Sequence, residues 1–278
     1  MNFGTQVLSH PFVVDAARSA FTPVVIHNNT QGDEDARTLK RFKEPAWNNP
    51  VVRIVEPKSL KDVAPRLGRD WTTPAVLTRM VKALKTARRE VPGWLRLVAW
   101  EAEARRRPTG VVWLGMYCFW AGEAGVGDLN GVVATRVGFL DGGEVVEVRY
   151  DPKTLSLKAL LEEVKSRQVA ERVYCEDAAS LKVARGVFGD DAKRAKASGF
   201  RASAKDLKHG LLRRPLRFLP MTPLQAARLN AHPELADGDA VLSPAQRALL
   251  AELRTHPKGR RSMIGRPFVD AWAALNPM

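Results

Sequence analysis

"GVVWLGMYCFWAGEAGVGDLNGVVATRVGFLDGGEVVEVRYDP", residues 110–152, decides how this chain folds. It opens on an apolar run rich in β-branched and aromatic residues, which predicts a buried strand. A small-residue helix led by Cys118 follows, and then two further β runs, "GVVATRVGFL" and "EVVEVRYD", joined by the turn signal "DGG". A strand leading into a helix leaves Cys118 at the helix start, where free backbone N–H groups and the helix dipole favour a thiolate. Position alone therefore marks Cys118 as a candidate nucleophile, although a lone cysteine is more often an inert core residue.

Outward from this stretch the pattern stays α+β. "GWLRLVAWEAEARRR" reads as a helix closed by Pro108, and "TLSLKALLEEVKSRQ" as an amphipathic helix after the last strand. These elements give a domain over residues 96–190. Residues 191–278 read as a basic linker, "DAKRAKASGFRASAKDLKHGLLRRPLRF", followed by a helical region. In that region "TPLQAARLNA" and "SPAQRALLAELR" each open on a capping hydroxyl and a proline. Residues 1–95 alternate helix-like "HPFVVDAARSAF", β-like "TPVVIHNN", a polar connection with a short helix, β-like "PVVRIV", and the helix "TTPAVLTRMVKALKTARREV". That alternation predicts an α/β layer.

Composition bounds the chemistry. The 278 residues, 45% of them hydrophobic, can bury a core without disulfides. The two cysteines, Cys118 and Cys175, offer no CxxC pair, and the five histidines show no ligand-like spacing, so no metal and no cofactor is expected. A net charge of +14 suits an acidic partner, but the basic stretch lacks the aromatics of a nucleic-acid module, and a solvated basic surface accounts for it. No apolar run reaches the roughly 18 residues of a membrane span, and the N-terminus carries no signal pattern. As written the chain reads as soluble and cytoplasmic, with no membrane partner.

"FGTQVLSHPFVVDAARSAFTPVVIHNN" and "FKEPAWNNPVVRIV" resemble segments of the bacterial VPGUxxT thioredoxin-like (seleno)proteins. The resemblance implies a thioredoxin-like domain over residues 1–95 that lacks its redox motif. In that family a selenocysteine or cysteine lies just upstream of the segment matching "FGTQVLSHP", so a longer product bearing that residue before Asn2 is expected. A UGA codon read as a stop would explain the shorter form. Pro50, after two asparagines and before a β run, fits the cis-proline of a thioredoxin site or an ordinary turn proline.

"YCFWAGEAGVGDLNGVVATRVGFLDGGEVVEVRYDP" resembles methionine sulfoxide reductase A. The resemblance implies that Cys118 attacks a sulfoxide sulfur, that Phe119 and Trp120 receive the substrate methyl group, and that Glu144 protonates the sulfoxide oxygen. "FLDGGE" stands where the family has a glycine-rich loop with a substrate-facing tyrosine, and Tyr174 in "RQVAERVY" only faintly matches the family's downstream tyrosine. The chemistry is coherent on its own terms. A sulfoxide oxygen leaves only when protonated, so a thiolate needs a nearby acid, and Glu144 beside Val145 and Val146 is either partly desolvated or solvent-facing at the strand end. The product is a cysteine sulfenic acid that a thiol must reduce. Cys175 is the possible resolving thiol within the chain, or else a helix-flanking cysteine with no partner in reach.

Two functions compete at this stage. One is a thiol-dependent oxidoreductase acting on methionine sulfoxide or a related oxidised group in a protein or small molecule, recharged by an external thiol such as thioredoxin. The other is a non-catalytic thioredoxin-fold scaffold that binds a protein or nucleic acid through the basic C-terminal region. Of these two partners, nucleic acid is the less expected.

Overall fold

The computed structural model describes residues 3–27, 30–45, 47, 50–256 and 261–275. The chain divides into two compact units, Met1–Val91 and Pro92–Met278.

The first unit is helical among its described residues. A π-helical turn, Gly4–Leu8, leads into α1 (Pro11–Ala20). The ring of His10 caps α1 by accepting the Phe12 N–H at 3.3 Å, and burial lowers its pKa to about 4, which keeps it in the neutral, accepting form. α2 (Glu34–Arg41) and α3 (Thr73–Thr86) follow. Phe12, Val13, Ala16, Val76, Leu77 and Met80 are buried here, and Phe3 meets Trp71 edge-on at 5.3 Å. The two expected β runs do not become strands. Val24 and Val25 carry no regular secondary structure, are 74% and 71% exposed, and have no ladder partner among the described residues. Residues 51–56 fold back on 61–67 through Leu67 N to Val52 O at 3.0 Å and Val63 N to Ile54 O at 2.9 Å, forming one isolated bridge, Val55 to Asp62. β-type composition alone makes no sheet without a neighbouring strand to take its N–H and C=O groups, so the α/β layer expected over residues 1–95 is not formed among the described residues. The Asn49–Pro50 bond, read from the sequence as either a thioredoxin-type cis-proline or an ordinary turn proline, lies outside them.

The second unit is built on a six-stranded sheet of order β5-β4-β1-β3-β2-β6. α4 (Gly93–Ala104) precedes β1 (Gly110–Gly115), which runs into α5 (Phe119–Gly127). β2 (Val132–Leu140) and β3 (Gly143–Tyr150) form a hairpin whose two-residue turn sets Asp141 and Gly142 at φ 52° and 76°. Positive φ at both positions is the turn that matches strand twist, as "DGG" predicts. α6 (Leu157–Ser166), β4 (Arg172–Cys175) and α7 (Ala178–Phe188) complete the α+β core.

β1 reads as a continuous apolar run because both of its faces are covered. Val112 and Leu114 join Val137, Val146, Val148, Leu160 and Val164 in the main core, while Trp113 joins Val145, Leu140 and Tyr174 on the opposite face. The segment read as a basic linker covers that second face. β5 (Ala192–Arg194) pairs parallel to β4 at one edge, and β6 (Arg201–Ala202) pairs with β2 at the other. Between them Ala195 and Phe200 pack on the Trp113 cluster, and Arg136 lies over the Phe200 ring at 5.3 Å. Residues 191–218 are thus woven into the sheet. Their charges hide this in the sequence because Lys193, Arg194 and Arg201 point outward.

The C-terminal helices α8 (Pro223–Ala231), α9 (Pro244–Thr255) and α10 (Phe268–Leu275) follow. Thr222 and Ser243 form capping boxes with Gln225 and Gln246. Those two buried glutamines also bond each other, at 2.8 and 3.0 Å, which ties the start of α8 to the start of α9. α8 lies directly on α5, so close that a side-chain carbon on Gly127 would sit 2.4 Å from the Ala227 carbonyl oxygen.

Candidate active site

The end of β1 and the start of α5 place Cys118. Met116 N donates to the Glu144 carbonyl at 3.2 Å, extending the β1–β3 pairing by one residue. The Met116 side chain then folds over α5, where a carbon on Gly122 would lie 1.6 Å from its sulfur. That leaves Cys118 as the N-cap of α5, extended at φ −135° and ψ 106°, with no side-chain cap bond and partly exposed.

Glu144 stands at the start of β3, opposite Phe139 of β2. Its Oε2 accepts the Phe119 N–H at 2.8 Å, so the carboxyl group caps the first turn of the helix that Cys118 begins. Oε1 has no protein partner among the described residues and is left for a proton or a ligand. The structure thus brings Cys118 and Glu144 to the same helix end, from two strands.

The aromatic pair separates. Phe119 is buried in the main core, with its ring 5.5 Å from Phe139. Trp120 is 41% exposed and stacks on His209, centroids 3.7 Å apart and planes within 9°. Of the two side chains expected to receive a substrate methyl group, Trp120 faces outward and Phe119 chiefly supports it, at 6.2 Å. Tyr117, beside Cys118, is 91% exposed. The faint tyrosine match, Tyr174, is buried on the far face of the sheet with Trp113.

Cys175 is not brought to Cys118. Gly115 pairs with Arg172 and Trp113 with Tyr174, which sets Cys175 level with Val112. About 10 Å of strand lies between that level and the end of β1, beyond the roughly 7 Å that a disulfide spans between Cα atoms. Cys175 is fully buried in the core, and burial, with Asp177 adding, pushes its thiol pKa up to about 11.

His209 was not foreseen, because it lies in the charged "KDLKHGLLRR" and its partner is on another element. What delivers it is a buried ion pair. Glu123 of α5 is fully buried and accepts from Lys208 Nζ at 2.6 Å, from Lys208 N at 2.8 Å and from Thr135 Oγ1 at 3.0 Å. Lys208 Nζ also donates to the Thr135 carbonyl at 2.8 Å. Both charges are therefore paired and hydrogen-bonded, as burial requires. Lys208 is left-handed, at φ 54°, and the turn it makes carries His209 onto Trp120. The only sequence sign was Glu123, an acid within an apolar small-residue helix.

Among the described residues no group of His, Cys, Asp and Glu could hold a metal ion, and no helix is long and apolar enough to cross a membrane. No family model and no curated protein matches the chain. Among solved structures, methionine sulfoxide reductase A of Corynebacterium diphtheriae is similar over 40% of this chain and 78% of its own, at 19% identity and a TM-score of 0.34.

Proposed function

We propose that this chain is a thiol-dependent reductase of methionine sulfoxide or a closely related sulfoxide, with Cys118 as nucleophile and Glu144 as proton donor. The observation that carries the proposal is the 2.8 Å bond from Phe119 N to Glu144 Oε2, which fixes an acid at the helix end where the cysteine sits. The remaining N–H groups of that turn favour negative charge on the sulfur. The Cys118 thiolate attacks the sulfoxide sulfur while Glu144 gives its proton to the sulfoxide oxygen. The oxygen leaves the substrate and ends on Cys118, giving a thioether and a cysteine sulfenic acid. With Cys175 out of reach, an external thiol attacks the sulfenic sulfur, releasing water and forming a mixed disulfide. A second thiol equivalent then displaces Cys118 and restores its thiol. Trp120, exposed beside Cys118, is the surface for the apolar end of the substrate.

The test is steady-state reduction of a methionine-sulfoxide peptide with dithiothreitol as reductant. Cys118→Ser is expected to abolish turnover. Glu144→Gln is expected to lower kcat by about 100-fold or more with KM little changed, because the proton is needed only as the S–O bond breaks. An unchanged rate in Glu144→Gln removes it from the mechanism. A wild-type chain with no turnover on either sulfoxide epimer removes the proposal.

A further inference from the structure

His209 has a second face to its role. The ring that stacks on Trp120 also lines a pocket of about 460 Å³, together with Gly210, Arg213 and Arg214. That volume is in the range that holds a small group. The wall is rigid at three points. Lys208 is held by Glu123 and Thr135, Gly210 N donates to Asn230 Oδ1 of α8 at 3.0 Å, and Leu211 is fully buried in the C-terminal core. Arg214 Nε donates to the Gly210 carbonyl at 3.2 Å, which fixes the direction of its guanidinium.

The charges of this pocket are not neutralised. Neither Arg213 nor Arg214 forms an ion pair among the described residues, and His209 Nδ1 is buried with no hydrogen-bond partner there. The neighbouring pocket, which shares Arg214, makes a contrast because it contains acids. Those acids are engaged elsewhere, Glu234 by His232 at 3.2 Å and Asp237 by Arg254 at 2.6 Å. Two exposed arginines lining one cavity that has no acid among its lining residues form a receptor for a planar oxyanion, and a carboxylate fits their guanidinium forks best.

We infer that the pocket of His209, Gly210, Arg213 and Arg214 binds a carboxylate of a peptide substrate, so that the site prefers sulfoxides in acidic sequence. This inference rests on the reductase reading above. Trp120 is two residues from Cys118, at most about 7 Å between Cα atoms, and its indole and the stacked imidazole extend the path to roughly 10–15 Å. An extended peptide covers that span in about three to five residues. The carboxylate is therefore an Asp or Glu side chain a few residues from the oxidised methionine.

The experiment uses the full chain and a series of short peptides with one methionine sulfoxide and a single Asp placed one to five residues to either side, each with an Asn counterpart. Binding is followed by tryptophan fluorescence with the unreactive thioether forms, and turnover with the sulfoxides. One Asp position, or two neighbouring ones, is expected to bind at least 10-fold more tightly than its Asn partner and to show the same ratio in kcat/KM. The ratio is expected to collapse toward 1 in Arg213→Gln, whose side chain makes no other hydrogen bond or ion pair among the described residues, and in 0.5 M salt. A ratio within twofold at every position, or an Asp preference that survives Arg213→Gln with Arg214→Gln, overturns the inference. The reductase reading fails separately: Asp-selective binding with no sulfoxide reduced keeps the pocket and removes the reaction, whereas reduction of all peptides alike keeps the reaction and removes the pocket.

Discussion

Cys118 and Cys175 belong to neighbouring parts of one sheet, yet they meet opposite surroundings. Cys118 lies just past the end of β1, where the backbone has left the ladder and α5 begins; the residue is partly exposed, and the next residue's N–H is bound by the Glu144 carboxyl. Cys175 lies within the pleat of β4, fully buried between β1 and β5, and burial raises its pKa to about 11. The same side chain is thus partly exposed at a strand-to-helix junction, where the proposed reaction places its nucleophile, and an apolar filler in a strand. The contrast breaks most visibly in alkylation. At pH 8, iodoacetamide is expected to label Cys118 at least about 100-fold faster than Cys175, because Cys175 must both emerge from the core and lose a tightly held proton. Equal rates, measured by mass spectrometry on the folded chain, would dissolve the distinction.

The buried pair Glu123–Lys208 sharpens it, since it ties the His209 turn directly to the helix that Cys118 begins. Lys208→Met leaves a fully buried carboxylate without its counter-charge and is expected to cost about 3–5 kcal/mol in urea unfolding, with a change in Trp120 emission as the His209 stack opens. Adding Glu123→Gln to that variant should recover part of the stability. A cost below about 1 kcal/mol for Lys208→Met would mean that the turn is held otherwise.

A third carboxyl, away from the site, gives a smaller and pH-dependent effect. Glu101 of α4 is buried, accepts the Leu224 N–H at 3.2 Å, and leaves Oε2 without a partner among the described residues. Burial raises its pKa from 4.5 to about 7, against the opposing pull of hydrogen bonds from Thr222 and Leu224 and of the Arg105 charge. A raised folded pKa means that the folded chain binds more protons than the unfolded one between pH 4.5 and 7. Stability from this group therefore falls as pH rises through that window and stays low above it. Glu101→Gln is expected to remove the slope and raise stability at pH 8 by about 1–3 kcal/mol. A variant with an unchanged pH profile would contradict the assignment.

The parts of the fold legible in the sequence are those with a strong period or a turn signature. The hydrophobic alternation and "DGG" of residues 110–152 specify β1, α5 and the β2–β3 hairpin, and the Thr-Pro and Ser-Pro pairs specify the starts of α8 and α9. Residues 191–218 were illegible because their strands are two and three residues long, too short for a period, and because the one covering aromatic, Phe200, is surrounded by charge. The first unit misled for the opposite reason. "TPVVIHNN" has a strand's composition, and no described strand offers it a ladder. Of the residues in the proposed site, Cys118, Glu144 and Trp120 could be named from the sequence, through the family resemblance. His209 could not, because only the fold brings the basic turn over the indole.

The claim on which the rest depends is that oxygen passes from a sulfoxide to Cys118. A single turnover of the reduced chain with a stoichiometric methionine-sulfoxide peptide, with no added thiol and with dimedone present to trap sulfenic acid, followed by mass spectrometry of the tryptic peptides, tests it directly. The account predicts one dimedone adduct on Cys118 for each thioether formed, none on Cys175, and a slower appearance of both products in Glu144→Gln. Thioether formed without an adduct on Cys118, or no thioether from the folded wild-type chain, would contradict it.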